Sequence, residues 1–140
     1  MENYLKVELG RTNIFKDEII VELAESKYPA QNILPDLIVG SVVELNKNVS
    51  SNLDLFINGN LAAKVKPLIT QEYLGVKIDE LIDKSNDILN SMENGIIKLD
   101  VKKSENGQII CGIFANGVII AKGMVVVIDE NFAVRIEEIN

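Results

Sequence analysis

Few side chains in this sequence could carry out acid–base or nucleophilic chemistry. The chain of 140 residues contains no histidine, which excludes histidine general bases, catalytic triads and histidine metal ligands. Its single cysteine, Cys111, lies inside an apolar segment, whereas a nucleophilic thiol needs an exposed and electropositive setting. We therefore expect Cys111 to be a buried, unreactive thiol.

Two pairs of adjacent carboxylates, Asp79-Glu80 and Asp129-Glu130, are the other candidates for catalysis. Both pairs fall beside predicted turns or helix starts, where acidic residues commonly cap a helix or are solvated. The sequence also lacks the GxxxxGK pattern of a phosphate-binding loop. It therefore predicts no catalytic, cofactor or metal site and no small-molecule substrate. An enzyme that uses carboxylates alone stays an alternative, and it would require a deep polar pocket with two close carboxylates.

Composition and charge limit the class of protein and its partners. Hydrophobic residues make up 47% of the chain, which is enough for a packed core. The net charge of −7 would repel a phosphate backbone, so nucleic acid is not expected as a partner. A single cysteine allows no internal disulfide, which fits a reducing cytoplasm. We expect no signal peptide, because the N-terminus lacks a basic region followed by an apolar run.

A repeat with a period of 58 residues is the strongest pattern in the chain. The stretch from Asn58-Gly59 to Lys64 returns as Asn116-Gly117 to Lys122, and Val76-Lys77-Ile78 corresponds to Val134-Arg135-Ile136. Upstream, Gly40–Leu45 matches Gly95–Leu99. We predict two copies of one small unit, residues 1–82 and 83–140. Neither copy could bury its sheet alone, so they are expected to share one core.

The local patterns predict the elements that would build these copies. Alternation and Asn-Gly turns predict strands at Tyr4–Leu9, Ser41–Leu45, Leu53–Ile57, Leu61–Val65, Tyr73–Ile78, Gly95–Val101, Gln108–Ala115, Val118–Ile128 and Phe132–Glu138. Apolar spacing of three and four residues predicts helices at Ile14–Ser26 and Asp79–Met92. The fold class is α+β, mostly β. Copy two lacks an opening strand of its own, so Tyr73–Ile78 is expected to serve both copies.

Three segments carry a resemblance to a known family. They are Val7-Glu8-Leu9-Gly10-Arg11-Thr12, Leu53-Asp54-Leu55-Phe56-Ile57-Asn58-Gly59 and the long run from Asn116 to Ile136. The chain resembles the SpoA (surface presentation of antigens) domain family, and in particular its FliN-like members. The resemblance implies an intertwined, β-barrel-like pseudo-dimer with one or two helices. It also implies a non-enzymatic scaffold subunit of the flagellar motor switch (C-ring) or of a type III secretion platform.

The resemblance implies partners and one binding site as well. The partners would be other SpoA or FliM-like switch proteins and proteins of the export apparatus. They would hold the protein at the cytoplasmic face of the inner membrane, and a homo-oligomer stays open. In FliN-like proteins a valine patch after Ala-Lys-Gly is implicated in binding the export apparatus, and it falls on Val125, Val126 and Val127. The run Met124–Ile128 is apolar on both faces, so a buried central strand is the alternative interpretation. A stand-alone adaptor that caps another SpoA protein is the second functional hypothesis.

Overall fold

The computed structural model describes residues 3–91, 95–101 and 108–140, and these are mostly in β-strands. The predicted fold class is therefore confirmed. The strands are β1 (Tyr4–Ile14), β2 (Asp17–Pro29), β3 (Val42–Asn48), β4 (Leu53–Ile57), β5 (Asn60–Ile69), β6 (Leu74–Leu81), β7 (Ile96–Lys98), β8 (Ile110–Ala115), β9 (Val118–Ile128) and β10 (Asn131–Ile139). The helices are α1 (Ala30–Ile33) and α2 (Asp87–Ser91), and a 3₁₀ helix spans Leu34–Asp36.

A long antiparallel ribbon of β1 and β2 lies at the centre of the fold. Its pairing runs from Tyr4 opposite Pro29 to Ile14 opposite Asp17, and the turn between the strands is Phe15-Lys16. Alternate residues of both strands are buried, as the period of two in a strand requires. One face of the ribbon therefore contributes to the core along its whole length.

The other strands form two groups around this ribbon. The order β1-β8-β9-β10-β3-β2, together with the β1–β2 pairing, closes a barrel of six strands. The second group continues from β2 through β4, β5, β6 and β7. It returns to β1 through a hydrogen bond in which the Asp100 amide donates to the Arg11 carbonyl oxygen at 2.8 Å. Both groups thus use the same central ribbon.

The sequence repeat is also a repeat of hydrogen-bond register. The β4–β5 and β8–β9 hairpins turn at Asn58-Gly59 and Asn116-Gly117, where all four residues have positive φ, as type I′ turns require. Lys66 lies opposite Lys77, and the residues 58 positions later, Met124 and Arg135, lie opposite each other in the same way. Even the bulge in the β5–β6 ladder recurs between β9 and β10.

The opening strand of the second copy is β1, not the end of the first copy. Val7 of β1 lies opposite Ile113, just as Val21 of β2 lies opposite Leu55, 58 positions earlier. The expectation that Tyr73–Ile78 opens copy two is therefore wrong, since β6 pairs with β5 and β7 instead. The division of the chain at residue 82 stays a prediction.

A single cluster of buried apolar side chains draws on both strand groups. Burial of this apolar surface is the main favourable contribution to folding. The largest fully buried members are Leu5, Leu9, Ile19, Leu23, Leu45, Leu53, Leu55, Leu74, Ile97, Leu99, Ile113 and Ile136.

The helix predicted at Ile14–Ser26 is wrong, because this segment is the turn and most of β2. Ile19 and Leu23 fit a helical spacing, but Ile19, Val21 and Leu23 also alternate, and all three are buried. β2 forms ladders with β1, β3 and β4, and these tertiary contacts outweigh local preference. Residues Gly10–Asn13, which follow the predicted strand Tyr4–Leu9, are likewise part of β1.

The helix predicted at Asp79–Met92 is mostly wrong. Its first residues, to Leu81, continue β6, and of its described residues only Asp87–Ser91 are helical. Met92, and residues 102–107 between two of the predicted strands, lie outside the described residues. None of the helices among the described residues is long and apolar enough to cross a bilayer. The apolar stretch Ile109–Ile128 forms β8, a turn and β9, as the Asn-Gly dipeptide predicted.

Candidate protein-binding surface

The three valines predicted as a binding patch lie near the end of β9 and differ in exposure. Val125 packs against the core and lies opposite Val134, while its amide donates to the Ile109 carbonyl oxygen at 3.0 Å. Val126 is half-buried, and Val127 is 58% exposed. The segment is therefore neither a fully buried strand nor a fully exposed patch, and its role in binding stays a prediction.

Gly123 fixes the backbone just before these valines. A Cβ atom built on it would lie 2.7 Å from the Arg135 carbonyl oxygen and would also collide with the Val134 side chain. Real Cβ atoms do not approach so closely, so β9 and β10 can pack here only because residue 123 has no side chain. The close approach holds Val125 and Val126 in register with β10.

Ala133 of β10 lies opposite Val126 on β9 and Glu44 on β3, and its small side chain is buried, at 1% exposure. Nearby, a cavity of about 260 Å³ is lined by apolar side chains from four segments, together with Glu44. We call this cavity the apolar socket; its lining residues are Tyr28, Ile33, Val42, Val43, Glu44 and Ile128.

Sequence patterns did not indicate the apolar socket. Tyr28 and Ile33 both lay between the helix wrongly predicted at Ile14–Ser26 and the strand predicted at Ser41–Leu45. Val42 and Ile128 are 45% and 37% exposed, and each adjoins an apolar residue on the opposite face of its strand. Such doublets, Val42-Val43 and Val127-Ile128, are the only local signal that could have pointed to this surface.

The first copy presents different residues at the positions equivalent to the valines. Pro67, Leu68 and Ile69 lie opposite Val76, Gly75 and Leu74. Pro67 lies beyond the last residue of β5 that pairs with β4, so among the described residues the ten-residue strand has only β6 as a neighbour there. Such an edge position suits a proline, which has no N–H to donate to a second strand.

A polar cleft of about 540 Å³ lies on the outer face of the central ribbon. It contains Glu8 and Glu22, which lie directly opposite each other in the β1–β2 ladder. Glu8 is engaged by Arg11, whose Nη2 donates to Glu8 Oε1 at 2.6 Å and whose Nε donates to Oε2 at 3.0 Å. Burial raises the pKa of Glu22, an effect that nearby Lys6 partly offsets and Glu25 reinforces. A second cleft of about 530 Å³ contains Glu8, Asp100 and Glu138, so a carboxylate enzyme would have to place its chemistry in one of these two clefts.

The other residues considered for catalysis, which are Cys111 and the two pairs of adjacent carboxylates, are buried, hydrogen-bonded or in a turn. Burial raises the pKa of the Cys111 thiol to about 12, and its Sγ lies 3.5 Å from the Gly123 carbonyl oxygen. Asp79 accepts a hydrogen bond from the Asn52 side chain at 2.9 Å. Asp129 and Glu130 form the β9–β10 turn with positive φ. In the described part of the chain, no group of three or more Cys, Asp or Glu side chains could hold a metal ion.

Comparison with known proteins connects these features to a family. A family model described as "Type III flagellar switch regulator (C-ring) FliN C-term" matches residues 15–83 and again residues 84–140. The flagellar motor switch protein FliN of Borreliella burgdorferi is 48% identical over 66 residues, which are 47% of this chain and 55% of that protein. The flagellar motor switch phosphatase FliY of Bacillus subtilis is 31% identical over 72 residues, 51% of this chain and 19% of that protein. The matches thus span about half of one relative and about a fifth of the other.

Proposed function

The chain belongs to the FliN C-terminal family of type III flagellar switch regulators, and on this premise we propose that it is a non-enzymatic scaffold subunit of the flagellar motor switch. The observation that carries the proposal is the exact repetition of the β4–β5–β6 register in β8–β9–β10. It gives one chain two copies of the family's β unit around a filled apolar core. Such a body is suited to holding partners in fixed positions.

The valines of β9 are the proposed contact with a partner. Val127 is exposed and Val126 is half-exposed, and as neighbours in a strand their side chains face opposite sides of β9. Each offers apolar surface that a partner can cover at this end of the strand. The proposed partners are other switch proteins of the SpoA and FliM-like type and proteins of the export apparatus. These contacts would place the protein at the cytoplasmic face of the inner membrane.

An enzymatic role is not part of the proposal. FliY of Bacillus subtilis is named a phosphatase, but the match covers only 19% of that protein. In this chain, Glu8 and Glu22 of the polar cleft lie opposite each other. Glu8 is bound by Arg11, and burial raises the pKa of Glu22. Neither arrangement provides a free pair of carboxylates next to a substrate-sized apolar pocket.

Two alternatives keep the fold and change the assembly. The same module could serve a type III secretion platform, or it could be a stand-alone adaptor that caps another SpoA protein. Deletion of the gene separates them. Loss of swimming, with a fluorescent fusion localised at flagellar bases, supports the motor. Intact swimming with impaired protein secretion supports the secretion platform. A diffuse fusion present in fewer copies than the partner SpoA protein supports the adaptor.

A further inference from the structure

The tip of the central ribbon carries an exposed aromatic residue in a strained conformation. Phe15 is 93% exposed and has a φ of +56°. This left-handed region suits Asn and Gly and disfavours a bulky side chain. The β4–β5 and β8–β9 hairpins place Asn58 and Asn116 at comparable φ. Phe15 therefore lowers local stability and exposes apolar surface, and a binding role accounts for both.

The apolar socket has room for such a side chain. Its volume of about 260 Å³ leaves space for a phenyl ring, and the socket is open to solvent, so a ring can enter it from a second molecule. Its walls include Tyr28 and Ile33, which supply aromatic and aliphatic contacts to a ring. A phenyl ring is therefore a ligand of fitting size and chemistry.

Phe15, which we call the knob, and the apolar socket lie at opposite ends of the central ribbon. Phe15 lies in the turn that precedes β2 and Tyr28 lies near the other end of that strand, so a strand rise of about 3.3 Å per residue separates them by roughly 43 Å of extended chain. Phe15 cannot reach the socket of its own chain. Only a second copy of the chain can bring Phe15 to the socket.

Charges beside the knob and the socket are complementary. Lys16 follows Phe15 in the turn, and Glu44 lines the socket. Both are exposed, and neither takes part in an ion pair among the described residues. When a phenyl ring enters the socket, the neighbouring ammonium group is brought towards this carboxylate.

We propose that Phe15 of one copy inserts into the apolar socket of a second copy, with Lys16 next to Glu44. The two surfaces differ, so the contact is head-to-tail and leaves a free knob and a free socket at the ends of each oligomer. Such contacts generate rings or open filaments. One side chain buries far less than the roughly 1,000 Å² of a stable interface, so the contact is weak alone and strengthened by multivalency.

The test uses the complete chain in sedimentation experiments over a wide concentration range. The knob variant is Phe15→Asn, the socket variant is Val42→Asp, and the control is Val118→Asn, which changes a 63% exposed valine at another turn. We expect wild type and control to associate equally. Each of the other two variants should associate at least tenfold more weakly. An equimolar mixture of knob and socket variants should form a 1:1 dimer and nothing larger, because each supplies the half that the other lacks.

Three results would overturn the proposal. Wild type could stay monomeric at millimolar concentration, the mixture could stay monomeric, or Val42→Asp alone could associate like wild type, which would indicate a symmetric Phe15 contact. Should Val42→Asp fail to fold, a photo-crosslinking p-benzoylphenylalanine at position 15 replaces it. Cross-links to residues 28–44 or 128 of a second copy are expected, and cross-links elsewhere or none contradict the contact. This inference does not depend on the flagellar role, so either can fail without the other.

Discussion

Val125 and Pro67 occupy equivalent positions in the two repeats, but only Val125 can donate a backbone hydrogen bond. Its amide donates to the Ile109 carbonyl oxygen at 3.0 Å, while a proline has no N–H. Both residues lie opposite an inward-facing valine, Val134 or Val76. The two repeats therefore share a ladder and differ at the proposed contact surface. This difference distinguishes the two segments, whereas the placement of the proposed surface on β9 follows the family resemblance.

Substitution of the β9 valines should separate binding from folding. Val127→Asp and Val126→Asp place a charge on exposed or half-exposed surface, so we expect a folded protein that binds its partner at least tenfold more weakly, about 1.4 kcal/mol. Val125→Asp places the charge against the core and should lower the free energy of unfolding by about 2 kcal/mol or more. Urea denaturation and binding of purified partner measure the two effects. If Val126→Asp also unfolds the protein, residue 126 belongs to the core and its site assignment is wrong.

Gly123→Ala should destabilise the fold although it adds only one methyl group. The new Cβ would collide with the Val134 side chain and with the Arg135 carbonyl oxygen, so β9 and β10 must separate. Overpacking of this kind costs about 1–3 kcal/mol. Lys122→Ala, on the exposed neighbour, is the control and should change stability little. Equal midpoints of urea unfolding for wild type and Gly123→Ala would show that the strands accommodate the methyl group.

Glu22→Gln should stabilise the protein at neutral pH. Burial raises the pKa of this carboxyl group in the folded state above its value in the unfolded chain. The stability that this shift contributes is fully present below the pKa of the unfolded chain, and it is lost as pH rises through the pKa of the folded state. A neutral amide removes that loss. We expect the variant to gain stability over wild type as pH rises from 4 to 7, while Glu72→Gln, on an exposed residue, shows no such gain. Parallel stability curves for wild type and Glu22→Gln would contradict the role of burial.

Cys111 should not react with thiol reagents in the folded protein. Burial raises its pKa to about 12, so almost no thiolate exists at pH 8, and the side chain is only 3% exposed. Labelling in native buffer should therefore proceed only as fast as the protein opens. In denaturant the same thiol should react at the rate of a free cysteine. Fast native labelling would mean that the β8–β9 region opens readily.

Phe15→Asn should raise stability, because asparagine tolerates the left-handed conformation at which Phe15 is held. The expected gain is about 1 kcal/mol in the free energy of unfolding. Lys16→Ala, at the other turn position, is the control for loss of a side chain at the tip. A lower midpoint for Phe15→Asn would show that Phe15 stabilises its own chain rather than serving a second molecule.

Patterns of two kinds allowed much of the fold to be predicted. The Asn-Gly turns and the 58-residue repeat located β4, β5, β8, β9 and β10, because both signals are local and strong. The central ribbon was predicted only in part, since Tyr4–Leu9 was predicted as a strand while β2 was predicted as a helix. Phe15, Ile19, Ile20 and Leu23 fit a helical spacing as well as a strand, and only pairing with distant strands decides between the two.

The candidate surface was predicted less completely. The valines of β9 came from a family resemblance, and the structure shows their unequal exposure. The apolar socket joins residues from β2, α1, β3 and β9, which are up to 100 positions apart in the chain. No pattern within a short window can bring such residues together. The strain at Phe15 is likewise visible only in the backbone angles.

Affinity capture of the tagged protein from its own cells, with quantitative mass spectrometry, tests the proposed scaffold role when wild type and Val127→Asp are compared side by side. We expect wild type to capture flagellar switch or export proteins, and the folded variant to lose those that bind through β9. If wild type captures none of these proteins while remaining soluble and folded, the protein is not a scaffold of the motor switch.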